Sequence, residues 1–240
     1  MPGPRITALL TAFGPEEGSL LADTVSSLLS CGGLNLAIAG DKSAIGWLGQ
    51  STKPIEGAKG CFPATLGTLS CATWTFPDDR RPSVSAAKNA AANECLGESD
   101  AFLFLRAGDT IKKDAPRKLA EMLFSAHEAG IVFPDVELDT EHGPVRIFAE
   151  PFDRFRLVSV PDAWPVYMVK ADAIKQVGGL HPGMEPLADY EFQLRLTEKY
   201  VALHLPEPIV RITRRPSLPQ EARSSCWQRA LSFASQRASQ

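Results

Sequence analysis

The chain has 240 residues, 44% of them hydrophobic, which suffices for one sizeable core or two small ones; 18 glycines and 19 prolines stay far below collagen-like or low-complexity usage. With 28 acidic against 25 basic side chains the formal net charge is −3, so there is no chain-wide basic field, and general nucleic-acid binding is disfavoured. The charge is uneven: Ile209 to Gln240 holds six arginines (Arg211, Arg214, Arg215, Arg223, Arg229, Arg237) against one acid, Glu221, and we divide the chain into a domain over 1–212 and a basic tail over 213–240.

Five cysteines (Cys31, Cys61, Cys71, Cys95, Cys226) are odd in number and widely spaced, without a CxxC or Cys/His pair at zinc spacing, as in a reduced, cytoplasmic chain. The opening MPGPRITALLTAF is too short an apolar run for a secretory leader, and no stretch of about 18 apolar residues occurs, which disfavours a membrane span.

Ile6 to Leu10 is a short apolar run bounded by Pro4 and by the breaker Gly14-Pro15, and predicts a buried strand. Leu20, Leu21, Val25, Leu28 and Leu29 then recur at helical spacing until Gly32-Gly33, and Leu34 to Ala39 predicts a second strand ending at Gly40-Asp41. From Ile45 to Thr68 the pattern fades into a loop with room for a short helix, and Thr68 to Phe76 predicts a third strand. Ser83 or Ser85 caps a helix whose Ala86, Ala87, Ala90 and Ala91 allow close packing on a sheet. Ala101 to Leu105 suits a central strand, and Asp114 to Glu128 a helix before a strand at Gly130 to Phe133.

In the second half, Val136 to Leu138 and Val145 to Phe148 flank Glu141-His142-Gly143 as a hairpin, and Trp164-Pro165 precedes a strand over Val166 to Val169. A helix over Ala171 to Val177 stops at Gly178-Gly179, another starts near Asp189, and Val201 to Leu205 predicts a last strand. After Pro216, Trp227, Leu231 and Ala234 share one helical face. Strands alternating with helices give an α/β fold with a mainly parallel sheet flanked by helices and a small antiparallel element in the C-terminal half.

Ligands of an open α/β sheet bind beyond the carboxyl ends of its strands. Thr11 to Gly14, Asp41 and Asp109 occupy such positions and would face one crevice, and Asp189 opens a helix after a Gly-rich loop. Taken alone, Asp189 also suits a helix N-cap, Asp41 and Asp109 suit turns, and Lys88 and Asn89 suit a solvated helix face. No GxGxxG, GxxxxGK[ST] or GxSxG motif follows a strand, so dinucleotide redox, P-loop and serine-hydrolase chemistry lack their signatures.

The segments TALLTAFG, LNLAIAGDKS, RPSVSAAKNAAANECLGESDAFLFLRAGD and VYMVKADAIKQVGGLHPGMEPLADYEFQLRL, in this order and spacing, resemble family 2 glycosyltransferases of the GT-A fold over roughly residues 5 to 212. The resemblance implies an inverting transferase moving a sugar from a nucleotide diphosphate, a UDP-sugar, to a glycan or lipid-linked acceptor. It implies that Asp41 reads the base, that Thr11, Ala12 and Phe13 lie along the nucleoside, and that Lys88 and Asn89 lie near the diphosphate. Gly179 and His181 fall in the acceptor loop, and Asp189 becomes the general base. The family's metal motif, Asp-x-Asp-Asp, corresponds to Arg106-Ala107-Gly108-Asp109, which leaves Asp109 to hold a Mg or Mn ion.

Arg106 is the unusual substitution. A guanidinium about 6 Å from a divalent cation would be repelled by roughly 5 kcal/mol at an effective dielectric of about 20. Its side chain therefore either points away or contacts phosphate among the nucleotide-sugar-binding groups. A catalytically weakened nucleotide-sugar-binding module is the alternative function. A sugar-phosphate nucleotidyltransferase would need a Gly-rich phosphate loop that TAFGPEEG does not provide. His204 reads as a core histidine or a further metal ligand, and Trp164 as core or a sugar platform. The Arg-rich tail reads as a solvated helix or as a peripheral contact with the inner face of a membrane.

Overall fold

The first apolar run forms β1 (Ile6–Ala12), buried along its whole length because it lies between two parallel neighbours under helices on both faces. The computed structural model describes residues 3–49, 61–66, 69–76, 82–159, 163–213 and 228. Most of the basic tail lies outside these residues, and with it the tail helix of Trp227, Leu231 and Ala234.

The helix after β1, α1 (Gly14–Cys31), starts well before the first periodic leucine. Gly14-Pro15, expected to break the chain, opens the helix instead. Proline is accepted in the first turn, where its missing N–H has no partner to lose, and Glu16 and Glu17 favour the positive end of the helix dipole. Glu17 also folds back to accept the Phe13 N–H at 2.8 Å. Gly32, at φ 65°, ends the helix as predicted.

β2 (Leu34–Asp41) is followed at once by α2 (Lys42–Gly49), and the expected loop beyond it contains β3 (Cys61–Leu66), paired antiparallel with β4 (Leu69–Phe76). Pro63 conceals β3 in the sequence, and as the edge strand of the sheet β3 tolerates it. α3 (Val84–Cys95) is capped by Ser83, whose hydroxyl accepts the Ala86 N–H. Then come β5 (Ala101–Phe104), β6 (Thr110–Ile111), α4 (Ala115–Ser125), and the hairpin of β7 (Ala129–Thr140) and β8 (Gly143–Ile147). The chain closes with α5 (Arg154–Ser159), β9 (Tyr167–Lys170), α6 (Ala171–Val177), α7 (Ala188–Lys199) and β10 (Val201–Ile212).

The sheet order is β3-β4-β2-β1-β5-β9-β7-β10-β6, with β8 on β7. β4, β2, β1 and β5 form a continuous parallel block, β9 enters antiparallel between β5 and β7, and β7 and β10 are again parallel. One apolar layer packs α1 and α4 on one face through Leu21, Leu28, Leu119 and Leu123. The other packs α3, α6 and α7 on the opposite face through Ala87, Ala91, Ile174, Phe192 and Leu196. Because β9 runs against β5, its first residue, Tyr167, lies opposite Phe104, the last residue of β5. That register brings the start of β9 to the carboxyl end of the parallel block.

Candidate functional site

Asp189 lies in the first turn of α7, but it is not the cap, which is Leu187. Its carboxylate instead gathers groups from three other segments. Lys88 of α3 donates from Nζ to Oδ1 at 3.0 Å and to Oδ2 at 3.1 Å. The Tyr167 hydroxyl donates to Oδ1 at 2.6 Å, and Arg106, two residues past β5, donates from Nη2 to Oδ2 at 3.3 Å. Lys88 is therefore no solvated face: its side chain is 2% exposed, while that of Arg106 is 43% exposed. Beneath them the Phe104 and Tyr167 rings stack at 4.6 Å, with the Lys88 ammonium 5.9 Å from the Phe104 centroid.

The electrostatics follow from this arrangement. Burial alone would push the Asp189 carboxyl up. The charges of Lys88 and Arg106, with the Tyr167 hydroxyl, overcome burial and hold the carboxyl well below the usual carboxylate range. Burial, then the Asp189 charge, raises the Tyr167 phenol well above its ordinary value. For Arg106 burial works against the charge, but Asp189, then Asp109 and Tyr167, outweigh it and raise its pKa. A carboxylate so strongly stabilised as an anion is a weak base while both cations remain on it.

The other residues singled out in the sequence fall into separate contacts. Asn89, next to Lys88, donates from Nδ2 to the Leu180 carbonyl at 2.7 Å and accepts the Leu180 N–H at 2.9 Å, gripping the backbone of the predicted acceptor loop. Gly179 permits this grip, since a Cβ there would lie 2.3 Å from Asn89 Oδ1. His181 accepts the Gly183 N–H through Nδ1 and so caps the 3-10 turn Pro182–Met184. Asp41 accepts from Gly14 N at 2.8 Å, Ala44 N at 2.9 Å and Ser43 Oγ at 2.7 Å, tying the start of α1 to the start of α2. Thr11, Ala12 and Phe13 are all buried. Gly40 approaches them so closely that a Cβ would lie 2.1 Å from the Ala12 carbonyl oxygen, so an acid cannot stand there without moving backbone.

Asp109 is 1% exposed, and its Oδ2 accepts the Arg106 N–H at 3.0 Å. The same residue, Arg106, thus meets Asp109 through its backbone and Asp189 through its guanidinium. Gly108 between them has φ 94°, and a Cβ there would meet Thr213 Oγ1 at 2.8 Å, so an aspartate would be strained in its backbone and would have to turn the Thr213 side chain aside. The donor set at this turn is one buried carboxylate beside a cation. No group of three or more His, Cys, Asp or Glu side chains able to hold a metal occurs among the described residues. Asp109 is the single acid of this turn, so a Mg or Mn ion held by it would take its remaining ligands from phosphate and water.

Sequence reasoning missed three contributors. Tyr167 lies in a short apolar strand where nothing in the sequence singles it out; only its register opposite Phe104 takes its hydroxyl to the strand end. Glu185 accepts both the N–H and the hydroxyl of Ser85, joining the loop before α7 to the first turn of α3. Asp135 accepts the Ala149 N–H at 2.9 Å and lies 2.8 Å from His204 Nε2, so His204 has a carboxylate partner and stacks on Phe133. Trp164 also stacks on Phe133, with centroids 3.9 Å apart, and lines a cavity of about 400 Å³ with Phe148, Phe152 and Arg156. The Asp189 cluster contributes nothing to that cavity's wall. No described helix is long and apolar enough to cross a membrane.

No protein-family model and no curated protein matches the sequence. Solved structures do match the fold. TarS residues 1–349 of S. aureus in complex with UDP superposes with a TM-score of 0.67 at 12% identity, over 96% of this chain and 65% of that one. The same protein in complex with UDP-GlcNAc gives 0.64 at 12% identity, over 89% and 60%. The mannosyltransferase PcManGT of Pyrobaculum calidifontis, in complex with GDP-Man and Mn2+, gives 0.62 at 13% identity, over 99% and 65%. The chain spans less than two thirds of the length of these structures, and it shares their fold.

Proposed function

We propose that the protein is an inverting glycosyltransferase that takes its sugar from a nucleotide diphosphate, a UDP-sugar, and passes it to a glycan or lipid-linked acceptor. The reading is carried by the convergence of Asp189, Lys88 and Arg106 at the carboxyl end of the parallel block, in a fold shared with proteins solved with UDP-GlcNAc and GDP-Man. The acceptor hydroxyl gives its proton to Asp189 as its oxygen attacks the anomeric carbon. The bond from that carbon to the β-phosphate oxygen breaks, and the nucleoside diphosphate leaves with the electron pair. Asn89, Gly179 and His181 shape the loop on which the acceptor rests, while Thr11 to Phe13 and Asp41 flank the nucleoside. Residues 1–212 carry these roles.

A second reading, a catalytically weakened nucleotide-sugar-binding module, is favoured by one observation: both oxygens of Asp189 are engaged by cations. Calorimetry with UDP and GDP, followed by hydrolysis and transfer assays across a panel of sugar nucleotides, separates the two. Turnover of any donor, abolished in Asp189→Asn, supports the transferase. Binding without turnover across the panel supports the module, and no binding of any nucleotide defeats both.

A further inference from the structure

Arg106 is the one member of the Asp189 cluster that is substantially exposed, at 43%, and among the described residues its guanidinium makes a single side-chain contact, Nη2 to Asp189 Oδ2 at 3.3 Å. A guanidinium offers five N–H donors in a planar fork suited to two oxygens of a phosphate, so one long contact uses little of its capacity. Lys88 reaches the same carboxylate from α3 with its side chain 2% exposed. Two cations thus converge on one acid at a strand end where Asp109, the lone acid of the turn, is buried and accepts the Arg106 N–H.

We propose that Lys88 and Arg106 are a metal-independent clamp for a diphosphate, and that Asp189 occupies the clamp when the ligand is absent. The inference rests on the nucleotide-sugar reading above and adds two things to it. First, the positive charge that stabilises the departing diphosphate comes from side chains of this chain. Second, the donor controls the base: diphosphate oxygens draw Arg106 and Lys88 away from Asp189, whose carboxylate then loses the charges that make it a poor proton acceptor. An enzyme built this way keeps its base masked until the donor is seated.

The probes are UDP, pyrophosphate and uridine, measured by calorimetry on the full chain in EDTA and again with manganese. The clamp predicts that UDP and pyrophosphate bind in EDTA with affinities that manganese changes by less than about twofold. It also predicts that Arg106→Gln weakens both by about tenfold or more, the effect of losing a charge-assisted hydrogen bond, and leaves uridine unchanged. Arg106→Lys, which keeps the charge and loses the fork, should recover part of the loss. Asp189→Asn removes the competing anion and should tighten UDP binding in EDTA; circular dichroism confirms that each variant is folded. UDP binding that requires manganese overturns the clamp and leaves the nucleotide-sugar reading standing, whereas no binding of any nucleotide in either buffer overturns both. Weaker UDP binding by folded Asp189→Asn overturns the competition between acid and diphosphate.

Discussion

Two carboxylates in the first turn of α7, Asp189 and Glu191, both meet arginine, yet they do opposite work. Glu191 pairs with Arg195 one turn along the same helix, Nε to Oε1 at 2.6 Å and Nη2 to Oε2 at 2.8 Å, and the two side chains are 3% and 7% exposed. Arg195 then donates to the carbonyls of Val177 and Gly179, both at 2.6 Å, which pins the loop leading from α6 toward α7. The pair is closed: its partners belong to the scaffold and water is excluded. Asp189, two residues away, faces outward to α3, to the turn after β5 and to β9, and one of its cations is open to solvent. The same chemistry builds a rivet where it is sealed and an exchangeable contact where a ligand can compete.

The largest expected effect tests the rivet. Arg195→Met should destabilise the protein by about 3–5 kcal/mol, because it leaves Glu191 buried without its counter-ion and two loop carbonyls without donors. For a chain of this size that is a fall in Tm of roughly 10 °C, read by thermal unfolding. A loss under about 1 kcal/mol would mean that the pair is not structural and that the contrast with Asp189 fails.

Next is the loop that the rivet holds. Gly179→Ala places a methyl against Asn89 Oδ1, so either the two Asn89–Leu180 hydrogen bonds or the helix position must give, at a cost of about 1–3 kcal/mol. Asn89→Ala on the Gly179→Ala background should then cost less than on the wild type, a coupling that a double-mutant cycle measures.

The exchangeable side is sharpened by pH. Because the folded-state pKa of Asp189 is depressed, its pairing contributes stability that is present above the unfolded value of about 3.9 and lost as pH falls through the folded value. Urea unfolding at about pH 7 and about pH 3 should show Asp189→Asn losing less stability on acidification than the wild type. Tyr167→Phe removes one stabilising hydrogen bond, costs about 1.5–3 kcal/mol near neutral pH, and leaves a smaller acid-sensitive component.

Much of the scaffold is written locally. The bounds of α6, the Gly32 stop of α1, the Ser83 cap and the β7–β8 turn each depend on a few adjacent residues, and each is found where the pattern places it. β3 is hidden by its proline, and the true start of α1 by reading Gly14-Pro15 as a break. The site is less legible because its members lie far apart in the chain: Arg106 and Asp189 are separated by 83 positions, Lys88 and Asp189 by 101. Nothing near Lys88 announces that it is buried, since that follows from where α7 begins. The resemblance put these residues in one region, but that Arg106 turns to Asp189 depends on the turn fixed by Gly108 and Asp109.

The smallest expected effect is the most discriminating. Arg106→Gln removes a half-exposed cation from a single 3.3 Å contact, and a pair of that exposure contributes only about 0–1 kcal/mol to stability, with Lys88 and Tyr167 still holding Asp189. Its Tm should therefore stay within about 3 °C of the wild type. Arg195→Met, by contrast, should lose stability whether or not nucleotide is present. A large fall in Tm for Arg106→Gln would make Arg106 a second rivet, and would place both arginines in the scaffold. A small one leaves Arg106 doing little for the fold, which is what a side chain reserved for an incoming anion should do.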